Sequence, residues 1–359
     1  MKGFDNYVGI HLSFYCHCFL RIYTKKVKKK LDRRILFLLS IAPAVLVAMF
    51  RYNNGADYMM YYRLFKNIGY ERIFSTVQGK SIEQGFVLLV KFCSYISQEP
   101  FFTFGVIAFI IVYLIFKACL DTSDNYLLSV ILFFVTGVYF DSFNGLRQYI
   151  AVAIFLLSLK YIISKDLKKY VLLIFLGFIF HRSIIFVAPI YLLQYLKIDF
   201  KKAVSTIAIC VISGTALYNI FLLALKYTPY SYFANSVEIE KAVASQSSIL
   251  LFSIMTLVGY WFYSKRKPVD GNTQFLFNCH VVMNIVAILT AFIPLMARFV
   301  YYGMAIDLLY IPCMLNLIPK KKARQLITYG IVFVYAAINI YGMIYNGWYT
   351  CIPYNFYFS

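Results

Sequence analysis

Acidic side chains are scarce in this sequence. Asp and Glu number 15 against 35 Lys and Arg in 359 residues, and charged residues of all kinds make up 14%, where an ordinary soluble domain carries about 25%. That shortage excludes a soluble globular enzyme. With 62% hydrophobic residues and a mean hydropathy of +0.71, the solvent is lipid, and one polytopic membrane domain over residues 1–359 is expected.

Other absences narrow the chemistry. The eight cysteines include no CxxC pair, which excludes a disulfide framework or zinc site of the usual spacing. Cys16-His17-Cys18 looks ligand-like, but adjacent helical side chains point about 100° apart and cannot converge on one ion. P-loop, GxGxxG, HExxH and GxSxG motifs are missing, as are heptads and internal repeats. No metal-binding DxD-like motif is present either, so neither metal nor cofactor is expected. The first two dozen residues lack a small-residue cleavage site, and His11, His17 and Arg21 interrupt their apolar run, so no cleaved signal peptide is expected.

What the chain does contain is a series of apolar runs, near 7–24, 35–50, 84–97, 101–119, 126–142, 146–163, 170–196, 203–225, 249–264, 274–296, 299–318 and 325–346. Most are long enough to cross about 30 Å of hydrocarbon as helices. Five basic clusters orient them: Lys25 to Arg34, Lys165 to Lys169, Lys197 to Lys202, Lys265 to Lys267, and Lys320 to Arg324. Short cytoplasmic loops carry such excess. Twenty of the 35 basic residues lie in these clusters, so most of the +20 net charge marks orientation and no nucleic-acid partner is implied.

The clusters constrain two awkward segments. A full crossing by 84–97 would bring the Lys165 cluster out on the wrong side, so that piece is expected to be re-entrant or interfacial. The 170–196 run lies between two cytoplasmic clusters and is too short for two full helices. Two half-length helices meeting near His181-Arg182-Ser183 are expected, in a setting that protein or water must surround. The predicted architecture is an all-α polytopic helical bundle of about 11–12 spans, including two half-helices, with larger external (periplasmic) loops at 51–83 and 226–247. Loops of that length are uncommon unless functional or disordered.

The same external side collects the isolated polar residues. Asn53-Asn54-Gly55 is a turn signal, after which Asp57 either caps an amphipathic helix or serves as an acid/base group, and Tyr58 and Tyr61 lie in the aromatic belt or at the site. Glu83 is either a helix N-terminal carboxylate or a second acid/base candidate. Asn144-Gly145 marks a turn before Arg147-Gln148; the guanidinium either snorkels to headgroups or grips an anion with its planar fork. His181 is either a packing residue or a base. Arg298, followed by Tyr301 and Tyr302, repeats the pattern of an isolated Arg beside aromatics, and Asp307, deeper in that span, would need a partner such as an Arg of another helix. Arg51, Arg147, Arg182 and Arg298 with Asp57, Glu83 and His181 suit a lipid-linked diphosphate: tails in lipid, diphosphate on Arg, sugars in the loops.

In order along the chain, Arg51…Gly55-Ala56-Asp57-Tyr58…Tyr61…Phe65, Glu83…Gly85-Phe86, Asn144-Gly145-Leu146-Arg147-Gln148…Ala151 and Phe180-His181…Ser183 resemble the EpsG-like branch of the Wzy-type polysaccharide polymerases. The resemblance covers roughly residues 30–200, with Arg298-Phe299…Tyr302 as a later match. It implies a bacterial inner-membrane glycosyltransferase that joins O-antigen or capsule repeat units carried on undecaprenyl diphosphate at the periplasmic face, without a metal, releasing undecaprenyl diphosphate. It also implies membrane lipid and a chain-length regulator as partners. Diphosphate and substrate binding then fall to Arg51, Arg147, Gln148, Asn144, Arg298, Tyr58 and Tyr302. His181, Asp57 and Glu83 are the acid/base candidates. A lipid-linked oligosaccharide flippase and an O-antigen ligase are the competing expectations; a flippase would more commonly show internal repeats and a midplane site.

Overall fold

A computed structural model of the protein describes residues 30–68, 76–77, 80–225, 227, 246–266, 269–293 and 296–358. The 7–24 run, the Cys16-His17-Cys18 group, part of the 51–83 loop and most of the 226–247 loop lie outside the described residues. The rest is helical, apart from a two-residue hairpin formed by β1 (Thr76–Val77) and β2 (Lys80–Ser81). The helices are α1 (Lys30–Met49), α2 (Tyr58–Asn67), α3 (Gln84–Ile96), α4 (Pro100–Thr122), α5 (Tyr126–Val135), α6 (Val138–Asp141) and α7 (Leu146–Ile163). They continue with α8 (Leu167–Phe178), α9 (Ile184–Val187), α10 (Phe200–Leu225), α11 (Gln246–Lys265), α12 (Gly271–Leu289), α13 (Ala297–Asn316) and α14 (Lys321–Tyr345).

Among the described residues, five helices are long and apolar enough to cross a membrane: α4, α7, α12, α13 and α14. The chain is an all-α polytopic membrane protein. Helix starts follow ordinary capping chemistry. Pro100 opens α4, where its missing N–H costs nothing, and the Asp270 carboxylate accepts the Asn272 and Thr273 N–H groups at 2.9 and 3.0 Å to open α12. α7 packs against α4, α8 and α13, while α12 joins α13 to α10 and α11. The outer faces of α8, α10 and α14 expose Phe175, Ile212, Leu326 and Phe333, as surfaces facing lipid do.

Both awkward segments have a physical account. α3 has 13 residues, about 20 Å at the helical rise, too short to cross. The 170–196 run divides into α8, a break at 179–183, and α9 continued by a 3-10 turn at Ala188–Tyr195. The 126–142 run is not one helix: α5 ends at Val135 and the chain restarts as α6 after Gly137. That glycine has φ +87°, and a side chain there would collide with the Tyr349 hydroxyl.

One end of the bundle gathers the end of α1, the starts of α3, α4, α7 and α13, the α8–α9 break and the C-terminal tail. The tail runs along the α1–α2 loop. Tyr52 N–H donates to Asn355 O at 2.9 Å, Gly55 N–H to Thr350 O at 3.0 Å, and Tyr357 N–H to Phe50 O at 2.7 Å. Asn54 binds both the carbonyl and the N–H of Asn355.

Candidate functional site

The site is built around the first turn of α7. Arg147 Nη1 donates to Glu83 Oε2 at 2.5 Å. Glu83 occupies the N-cap position of α3, yet its side chain makes no capping bond. It reaches Arg147 instead and also lies 3.5 Å from the Arg182 N–H. The pair is asymmetric. Arg147 keeps 26% of its side chain exposed against 11% for Glu83, so the guanidinium can still meet a ligand while the carboxylate is occupied in holding it. The Tyr61 hydroxyl lies against Arg147 as well.

Two close backbone approaches make this possible. Gly85 N–H donates to Ile179 O at 2.9 Å, and a Cβ on Gly85 would stand 2.7 Å from that carbonyl, so only glycine lets α3 meet the α8–α9 break. Gly55, at φ +110°, leaves no room for a side chain beside Asn144. Asn144 Oδ1 accepts the Ala56 N–H at 2.6 Å. This bond ties the α1–α2 loop to the turn before α7, and with it the neighbouring Asp57 to Arg147.

Asp57 precedes α2 without capping it. Among the described residues its carboxylate has no ion pair. Burial raises its carboxyl above the ordinary value, and Arg147 and Arg298 act in the opposite direction. Arg298 stands exposed in the first turn of α13, makes no ion pair among the described residues, and is held at its backbone, where Gln148 donates to its carbonyl.

His181 sits in the α8–α9 break. Its Nδ1 accepts the Ser183 N–H at 3.3 Å and lies 2.7 Å from the Ser183 hydroxyl, which in turn lies 2.8 Å from the Tyr302 hydroxyl. Burial pushes the imidazole down to about 4; Glu83 opposes that, and Arg147 and Arg298 reinforce it. At neutral pH the ring is therefore neutral. Because Nδ1 accepts, Nε2 carries the proton, and His181 offers a donor.

Asp57, Glu83, Arg147, His181 and Arg298 are thus gathered at one end of the bundle with Asn144, Gln148 and Tyr302 as supports. Arg182 joins through its backbone, and its side chain is exposed. Arg51 and Tyr58 are set apart from them. Arg51 is 1% exposed and lies over the rings of Phe143, Phe104 and Tyr58 at 4.3, 4.9 and 5.8 Å. Its Nε and Nη1 make no hydrogen bond, and burial lowers its proton affinity. Tyr58 is fully buried and stacks on Phe104 with centroids 4.8 Å apart. Arg51 and Tyr58 brace the loop through aromatic packing and cation–π contact.

Two features escape the sequence reading. Ser183 links His181 to Tyr302, and only the FHRS break hinted at it. Asp307 is paired with His280 of α12, at 2.9 Å, rather than with an arginine. His280 lies between Asn278 and Asn284 in the 274–296 run, and nothing local singles it out from those amides as the partner.

No curated protein and no solved structure matches the chain. Among protein families, the EpsG family matches residues 34–356, well past residue 200, where the short motifs thin out. Nearly the whole chain is covered, and the protein belongs to the EpsG family.

Proposed function

We propose that the protein is a polysaccharide polymerase, joining oligosaccharide repeat units carried on undecaprenyl diphosphate at the external face of the bacterial inner membrane. Family membership supports a membrane glycosyltransferase of the polymerase kind. The observation that carries the finer reading is the site's charge pattern. Arg147 and the exposed Arg298 flank Asp57, a carboxylate with no ion pair among the described residues, at one end of a lipid-facing bundle. A diphosphate leaving group needs such donors, and an acceptor hydroxyl needs such a base.

In the proposed reaction the acceptor sugar's hydroxyl oxygen attacks the anomeric carbon of the donor chain. The bond from that carbon to the diphosphate oxygen breaks, the hydroxyl proton passes to Asp57, and lipid diphosphate leaves with its charge on Arg147 and Arg298. The geometry favours Asp57 over the other two candidate bases. Glu83 is committed to Arg147, and His181 presents a proton on Nε2, which suits a hydrogen bond to a diphosphate or sugar oxygen. General-base help is worth about 10²–10⁴-fold, and preorganised donors on the leaving group about 10²–10³-fold each.

Deletion of the gene tests this reading. The expected result is surface glycolipid capped by a single repeat unit, with the long-chain ladder gone. Complete loss of repeat units would point to a flippase or ligase instead.

A further inference from the structure

Away from the site, four helices each place one polar side chain near mid-length on a common point: Thr256 of α11, His280 of α12, Asp307 of α13 and Tyr335 of α14. The first three are at most 1% exposed and Tyr335 is 8% exposed. His280 Nε2 lies 2.9 Å from Asp307 Oδ1, Tyr335 donates to Asp307 Oδ2 at 3.3 Å, and Thr256 Oγ1 lies 2.9 Å from His280 Nδ1.

Counting protons defines the pair. Thr256 has one hydroxyl proton and bonds back to Phe252 O at 2.8 Å, the usual habit of Thr within a helix. His280 Nδ1 is then the donor to Thr256. Nε2 and Oδ1 face each other at 2.9 Å in an apolar interior, so each atom depends on the other for a polar partner. The ring also lies between Tyr310, at 3.8 Å and 13°, and Phe252, at 5.6 Å and 21°. Such a sandwich fixes the plane of the ring.

The geometry points to a His280–Asp307 pin at mid-membrane that sets the position of α13, and through it Arg298 and Tyr302 in the site. Those two residues lie on the same helix, nine and five residues nearer its start, and Tyr302 is the contact through which α13 meets Ser183 and His181. His280 and Asp307 are positioning residues. Ionisable groups inside a membrane are costly and tend to be kept for function, and removing one partner strands the other.

The pin rests on the proposed glycosyl transfer only for its polymer readout, so the test uses a second readout that needs no reaction. In membranes holding the full chain, the rate at which impermeant maleimide labels Arg298→Cys is followed at that residue by mass spectrometry, and polymer length is measured with Arg298 intact. Asp307→Asn and His280→Gln are each expected to change the labelling rate and shorten the polymer by about 2- to 30-fold, and the exchange His280→Asp with Asp307→His to restore both. Single variants with wild-type labelling and polymer would overturn the pin, as would an exchange variant of normal abundance that stays as defective as the singles. Where the exchange does not accumulate, His280→Leu with Asp307→Leu replaces it. That apolar pair is expected to fold yet to keep the altered labelling, and wild-type labelling from it would equally overturn the proposal.

Discussion

Cations crowd both ends of the bundle, but they are used differently. At the end away from the site, Lys117 and Lys160 share Asp121, Lys169 pairs with Asp166, and Arg266 and Arg324 donate to the carbonyl and side chain of Asn316. A cavity of about 580 Å³ there is lined by Asp121, Lys160, Arg266, Asp270 and Arg324, each matched to a neighbour within the protein. Within the site itself the cations are arginines, while Lys66 of α2 lies over the Tyr62 ring. Only Arg147 has a carboxylate partner among the described residues, and Arg298 faces Asp57 without pairing to it. Point charges suffice to fix orientation in a bilayer; a planar fork is needed to grip phosphate oxygens. The difference separates charges matched within the protein from charges that the proposed reaction uses.

Substitutions sharpen that contrast, the largest effects coming at the site end. Asp57→Asn is expected to cut glycosyl transfer by about 10²–10⁴-fold at normal protein abundance, measured as polymer formed per enzyme; activity within a few-fold of wild type would remove Asp57 as the base. Arg147→Lys keeps the charge but loses the fork, and a fall of about 10²–10³-fold is expected; normal ladders would reduce Arg147 to a snorkelling anchor. Gly85→Ala forces a Cβ against Ile179 O and is expected to destabilise the protein by about 1–3 kcal/mol, read as a lower unfolding midpoint in detergent.

Acid provides a gentler test. The His181 imidazole is held at about 4 against an ordinary 6.5, so folding favours its neutral form. That contribution is fully present above pH 6.5 and is lost as pH falls from 6.5 toward 4. His181→Gln is expected to flatten the fall of the unfolding midpoint across that window. The smallest effect belongs to the opposite end. Asp121→Asn strips two partly exposed lysines of their partner, and less than about 1 kcal/mol with unchanged polymer is expected. A lost ladder from Asp121→Asn would erase the contrast.

Much of this was legible before any coordinates. Long apolar runs and the Lys165, Lys197 and Lys320 clusters dictate the spans, and their alternation requires the break at His181. The contacts across the site were not legible. Glu83 and Arg147 are 64 residues apart, and no local pattern announces that a helix-starting carboxylate will leave its own N–H groups for a distant guanidinium. Arg51 carries the same sequence signature as Arg147, an isolated arginine at a span end, yet it is enclosed by Phe143, Phe104 and Tyr58. Which of two such arginines meets ligand depends on packing among residues far apart in the chain. A buried carboxylate such as Asp307 calls for an arginine in the sequence, and the group beside it is instead His280 of another helix, 27 residues away and without a local signal.

The central claim is that the site end performs glycosyl transfer, and a reconstituted reaction tests it most directly. Purified protein in vesicles is given a synthetic diphosphate-linked repeat unit, and the coupled product and released lipid diphosphate are counted. The account predicts equimolar appearance of both from the wild type and about 10²–10³-fold less of both from Arg147→Lys. Movement of the lipid-linked unit across the bilayer without any coupled product, or coupling that survives Arg147→Lys undiminished, would contradict it.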